Sequence, residues 1–218
     1  APSVEEQAKG PVLNPIEMAM PNKEHVLKVL NSIPGYVEAF KKAFPAEADA
    51  VSYDNFGKAV GAFERRLLTP GAWDAYLKGD KSALTAEERK GFNEYATVGC
   101  VNCHNGVGVG GHLYQKLGLV KAWPGLKDLG RFEATKAEVD KYFFKVPSLR
   151  NVAQTGPYMH DGQLATLRAV VQHYSELNLE RLHADGEQIL APLRLTGKES
   201  ADLVSFLRTL SDPGARSW

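Results

Sequence analysis

The run Cys100-Val101-Asn102-Cys103-His104 constrains this chain more than any other stretch, because it holds both of its cysteines. The spacing C-x-x-C-H is that of covalent attachment of a c-type haem. Two thiols so spaced can form thioether bonds to the two vinyl groups of one porphyrin, and the adjacent imidazole can reach the iron from the same side. Two other chemistries share part of the pattern. A redox-active dithiol needs only C-x-x-C, and a structural zinc site wants four ligands, usually with a second cysteine or histidine pair at comparable spacing. No second pair exists, and Gly99, Asn105 and Gly106 suit a loop better than a thioredoxin-like strand and helix. Haem attachment uses all three residues, with Cys100 and Cys103 holding the porphyrin and His104 the iron.

Charge narrows the partners. Lys plus Arg number 26 and Asp plus Glu number 26, so no net charge draws the chain to nucleic acid or an anionic membrane. Local patches remain available to dock a redox partner. No apolar run approaches the roughly 20 residues that span a bilayer. Because c-type haem is attached by extracytoplasmic machinery, the periplasm is the expected compartment, with any secretory leader lying upstream of Ala1.

The patterning predicts a mainly α fold: a c-type cytochrome domain with long loops around the haem. Residues 1–22, punctuated by Pro2, Pro11, Pro15 and Pro21, read as an extended strap. Helical spacing begins at Lys23, with one helix through Val26, Leu27 and Leu30, and another through Val37, Phe40 and Phe44. A third, N-capped by Asp54, would carry Phe56, Val60, Phe63 and Leu67 on its buried stripe. Thr85 to Glu88 has capping-box form and opens a helix through Phe92 and Tyr95 that ends at Gly99. The glycines at 106, 108, 110 and 111 lack any nucleotide-binding context and suit backbone passing close to a porphyrin. Residues 115–134 look irregular, with a turn at Trp123-Pro124-Gly125, and Thr135 to Glu138 reads as a further capping box. Leu167, Val170, Val171 and Tyr174 form one helical stripe. Thr196 to Glu199 caps a closing helix with Leu203, Phe206, Leu207 and Leu210. Arg150 is a candidate partner for a haem propionate.

The second axial ligand is open at this level. Met159, His160, His173, Tyr174 and His112 all follow the motif, and spacing alone favours Met159. A methionine there raises the reduction potential, whereas a phenolate lowers it.

Further motifs carry a resemblance. Val146-Pro147-Ser148-Leu149-Arg150-Asn151, then Thr155-Gly156-Pro157-Tyr158-Met159-His160-Asp161-Gly162, the closing helix, and Gly10-Pro11-Val12-Leu13-Asn14-Pro15-Ile16-Glu17-Met18 at the front accompany C-x-x-C-H. Together they resemble the bacterial dihaem cytochrome c peroxidase and MauG-type family over nearly the whole chain. The resemblance implies a C-terminal c-type haem domain over 23–218 and, in 1–22, a segment of the peroxidatic pocket of an N-terminal haem. It implies that the distal ligand lies fourteen residues after His160, at Tyr174, as in the tyrosine-bearing MauG branch. Glu17 and Gln7 match the distal acid/base and its amide neighbour. Such a carboxylate would take a proton from the proximal oxygen of peroxide and deliver it to the departing one.

The family also binds calcium through backbone oxygens at positions matching Thr155 and Pro157, with an asparagine from a part that this sequence lacks; weak or no binding is expected here. The single C-x-x-C-H gives this sequence one haem c, and the resemblance implies a second in the complete protein. The implied partners are hydrogen peroxide and either a small electron donor, a c-type cytochrome or cupredoxin, or a protein whose side chain is oxidised. A homodimer is compatible with the resemblance. The remaining reading is a monohaem electron-transfer protein without peroxide chemistry.

Overall fold

The computed structural model describes residues 1–117, 125–176 and 191–214, so Trp123 and Pro124 of the expected turn lie outside the described residues. Two compact units, Ala1–Leu68 and Thr69–Trp218, divide the chain. Among the described residues the architecture is mainly α, as the patterning predicts, with one two-stranded sheet.

The first unit contains α1 (Val4–Leu13), α2 (Lys23–Asn31), α3 (Pro34–Ala43) and α4 (Tyr53–Glu64). Here the extended-strap expectation for 1–22 is corrected, because residues 4–13 are helical. Ser3 Oγ accepts the Glu6 N–H at 3.2 Å, and Glu5 and Glu6 place negative charge in the first turn. Pro11 lies in the last turn, where the chain is about to leave the helix.

Packing supplies what local propensity lacks. A Cβ on Gly57 of α4 would lie 2.8 Å from the Glu5 carbonyl oxygen, so the helices meet backbone to backbone. Glu5 pairs with Arg65, which holds its carboxyl down at about 2, and Lys9 bridges Glu6 at 2.7 Å and Asp54 at 3.0 Å. The N-cap of α4 is Ser52 rather than Asp54. Its buried face runs through Tyr53, Gly57 and Gly61, whereas Phe63 and Leu67 of the expected stripe are exposed. Residues 1–22 thus pack within one unit with the helices that follow them.

The second unit contains α5 (Ala72–Leu77), α6 (Ala86–Thr97), β1 (Tyr114–Lys116), α7 (Phe132–Thr135), β2 (Phe143–Lys145), α8 (Leu167–Ser175) and α9 (Gly197–Thr209). β1 and β2 pair antiparallel with Gln115 opposite Phe144, so residues 115 and 116 are not irregular. Thr135 ends α7 rather than capping a new helix; its hydroxyl instead accepts the Ala137 N–H. The capping boxes at Thr85/Glu88 and Thr196/Glu199 both form.

These two capped helices, α6 and α9, make the core. Leu203, Phe206, Leu207 and Leu210 are buried, and Phe206 sits among Trp73, Phe92 and Tyr95 with ring centroids 5.1 to 5.4 Å away. Crossing this close requires Gly91, where a Cβ would stand 1.9 Å from the Asp202 carbonyl oxygen and 2.9 Å from Phe206 Cβ. The obstructing atom is backbone, so α9 as a whole must move. Gly91→Ala is therefore expected to destabilise the fold by about 2 kcal/mol or more through overpacking, even though alanine returns ~1 kcal/mol of helix propensity. Urea unfolding checks this; an unchanged midpoint would contradict it.

Candidate haem site

The haem motif begins after α6, separated from it by Val98 and Gly99. Cys100–Asn102 is a single 3-10 turn, from which the His104 N–H donates back to the Cys100 carbonyl at 2.9 Å. Cys100 and Val101 pack against the core beneath α6 and α9. Tyr95, buried in α6, donates its hydroxyl to the carbonyl of His104. The motif is thereby held at both ends by the helix that precedes it.

His104 carries the decisive geometry. Its Nδ1 stands 3.1 Å from the carbonyl oxygen of Pro147, an atom that can only accept, so Nδ1 carries the proton and donates. The Nε2 lone pair is left for a metal. Burial keeps the imidazole below its ordinary pKa, favouring the neutral, ligating form, while its backbone hydrogen bonds act the other way. Gly110 makes the arrangement possible, since a Cβ there would lie 2.3 Å from the Pro147 oxygen and 3.1 Å from His104 Nδ1.

Both cysteines are unpaired thiols rather than a disulfide. Burial pushes Cys100 up to about 11 and raises Cys103 as well. Tyr174, on α8, belongs to the same locale. Burial pushes its phenol above the ordinary range, and the nearby Cys100 and Cys103 add to the effect. Burial raises the Tyr95 phenol too, and the same two sulfurs add to it. Two thiols, an imidazole with its tautomer fixed and the half-buried Tyr174 are a donor set that fits a haem c.

The other candidates are placed as follows. Met159 is half-buried in a turn closed by the Tyr158–Leu164 bridge, with φ of +71°. His160 directs Nε2 to Asp128 at 3.1 Å and packs its ring on Phe144. His112 places Nδ1 3.3 Å from the Gly110 carbonyl, and His173 lies edge-on to Tyr174. Thr155 and Pro157 are exposed, and among the described residues no group of three His, Cys, Asp or Glu side chains could hold a metal.

Arg150, the expected propionate partner, directs its fork to Asp74 with bonds of 2.9 and 2.8 Å and its Nε–H to the Val107 carbonyl at 2.6 Å. Gln7 on α1 and Glu17 in the turn after it are both exposed, in the first unit, and no hydrogen bond joins their side chains among the described residues. Ile16 and Met18 flank Glu17 at 89% and 64% exposure. Two residues that bear on the site carried no sequence signal of doing so, Tyr95, which reads as a core aromatic, and Asp74, in a six-residue helix; Pro147 lies in a recognised motif, but its role is that of its backbone carbonyl.

A profile described as di-haem cytochrome c peroxidase matches residues 1–82. The cytochrome c551 peroxidase of Pseudomonas aeruginosa is 44% identical over 203 residues, which cover 89% of this chain and 58% of that protein. The cytochrome c551 peroxidase of Nitrosomonas europaea is 41% identical over 213 residues, covering 97% of this chain and 59% of that protein. This chain thus spans less than two thirds of the length of either relative. The crystal structure of a MauG-like protein associated with microbial copper homeostasis superposes with a TM-score of 0.82 at 30% identity, covering 97% of this chain and 69% of that one. No helix among the described residues is long and apolar enough to cross a membrane. At 41 to 44% identity to two cytochrome c551 peroxidases over most of its length, and with the fold of a MauG-like protein, this chain belongs to the di-haem cytochrome c peroxidase and MauG family.

Proposed function

We propose that this chain is the electron-handling part of a periplasmic dihaem peroxidase that reduces hydrogen peroxide. The observation that carries the reading is the proximal geometry of His104, with Nδ1–H given to Pro147 and Nε2 left to ligate beside two unpaired thiols. A haem c bound there supplies one-electron exchange with a small donor protein, a c-type cytochrome or a cupredoxin. Cys100 and Cys103 fix its orientation covalently, His104 holds the proximal side, and Tyr174 is assigned as the distal ligand. The apolar core against Cys100 and Val101 keeps water from that side.

Residues 1–22 are assigned to the peroxidatic side, formed with a second haem in the complete protein, and 23–218 to the C-terminal haem domain. Glu17 would accept a proton from the proximal oxygen of bound peroxide and return it to the departing oxygen, with Gln7 as its amide neighbour. The exposure of Ile16 and Met18 beside Glu17 supports a face that is covered in the complete protein.

A second reading, oxidation of a side chain on a protein partner in the manner of MauG, is favoured by tyrosine rather than methionine at position 174. A phenolate ligand stabilises higher oxidation states, whereas methionine favours the reduced one. A plain monohaem electron carrier is the alternative to both.

Pyridine haemochrome of the purified chain is expected to give one haem. Joined to the remaining part of the protein, the chain is expected to oxidise a reduced donor cytochrome in a peroxide-dependent way, and one haem with no peroxide turnover in that complete protein would leave only the electron carrier. Tyr174→Phe should change the optical and EPR spectra of the haem while Met159→Leu leaves them nearly as they were; unaltered spectra in the tyrosine variant would reject Tyr174 as ligand. Calcium, offered two backbone oxygens where six to eight ligands are wanted, should bind with a Kd of about 10⁻³ M or weaker in isothermal titration. Micromolar binding would contradict that assignment.

A further inference from the structure

The segment Val146–Arg150 runs beside the haem motif and the loop that follows it; four of its five residues bond to that loop and the fifth, Pro147, to His104. Gly111 N–H donates to the Val146 carbonyl at 2.8 Å, and His104 Nδ1–H to that of Pro147 at 3.1 Å. The Ser148 hydroxyl donates to the Gly108 carbonyl, the Leu149 N–H to the Val109 carbonyl at 3.0 Å, and the Arg150 Nε–H to the Val107 carbonyl at 2.6 Å. The Pro147 carbonyl sits in the middle of this ladder, and its position is set by the bonds on either side.

Arg150 closes the ladder, and Asp74 anchors Arg150. The carboxylate takes the guanidinium fork with both oxygens, while Oδ2 also accepts the Gly71 N–H at 2.8 Å. Both side chains are about one-fifth exposed, so the pair is shielded enough to hold its geometry. Three of the five N–H groups of Arg150 are directed at protein acceptors, two on Asp74 and one on Val107.

We propose that Asp74 and Arg150 are positioning residues for the proximal haem ligand, clamping the 107–111 loop onto Val146–Arg150 so that the Pro147 carbonyl keeps its bond to His104. The proposal rests on the haem reading of Cys100 to His104 and adds a role that the reading does not contain. A carbonyl held on Nδ1–H makes Nε2 a stronger donor and favours ferric iron. Loosening the clamp therefore shifts the reduction equilibrium toward ferrous.

The sign of that shift separates the clamp from a plain charge effect or from a propionate partner. Removing the positive charge of Arg150 would by itself favour the ferric, more cationic form. The clamp gives the opposite sign. Arg150→Lys keeps the charge but loses the fork and the Nε–H to Val107, and Arg150→Gln loses both.

Spectroelectrochemical titration of the haem-loaded chain is expected to move both variants toward ferrous. For Arg150→Lys the equilibrium should shift about tenfold, which is about 59 mV for one electron. Hydrogen exchange of the Val109, Gly111 and Leu149 amides should speed up at least tenfold in the same variant. Arg150→Lys within twofold of the unsubstituted chain in both readouts, or Arg150→Gln displaced toward ferric, would overturn the proposal. Pyridine haemochrome separates the two failures. If a preparation carries no covalent haem, the haem reading fails, and the exchange rates alone decide whether the clamp exists.

Discussion

A single hydrogen bond, from His104 Nδ1–H to the carbonyl of Pro147, sets the terms for the second unit. It fixes a tautomer, and with it the atom that faces the metal. A backbone carbonyl is a demanding partner, because it can be placed only by placing the chain around it. Gly110 leaves room for it, since any side chain there would strike the Pro147 oxygen. The residues on both sides of Pro147 bond to the loop after the haem motif, and the Asn151 N–H donates to the carbonyl of Leu210 at 3.0 Å, tying the same segment to the end of α9. The proximal ligand is thus connected to the helix that closes the fold.

The two units use the same device to bring helices together, namely a glycine where a neighbouring backbone must pass. Gly57 receives α1, and Gly91 receives α9. In the second unit this close crossing also fixes Tyr95 between Phe206 and the His104 carbonyl, so core packing and site geometry are one arrangement. Moving α9 would disturb Tyr95 from one side and Asn151 from the other.

Much of this was legible in the residues. C-x-x-C-H names its own chemistry, and the boxes at Thr85 and Thr196 announce two helices because both members of each box lie within one turn. The helix at Val4–Leu13 was not legible. Its prolines read as breakers, and the surface that stabilises it is the glycine face of α4, more than forty residues away in sequence. Asp54 looked like a cap but serves Lys9, and Ser52 caps instead. Arg150 is identifiable as a charge near the haem segment, yet its partner Asp74 is 76 residues distant and belongs to a helix too short to leave a periodic signal. Tertiary pairing of this kind has no local pattern to read.

The account joins a family assignment to a specific proximal geometry, and the geometry is the part that belongs to this chain's own atoms. It makes His104 a neutral imidazole whose Nδ1 proton is given to the Pro147 carbonyl. The measurement that tests this most directly is NMR of the haem-loaded chain carrying ¹⁵N-labelled histidine. The account predicts a protonated His104 Nδ1 whose N–H, held by the Pro147 carbonyl, exchanges more slowly than that of a solvent-exposed imidazole. A proton that exchanges at the rate of a solvent-exposed imidazole, or a spectrum showing Nδ1 unprotonated, would contradict it.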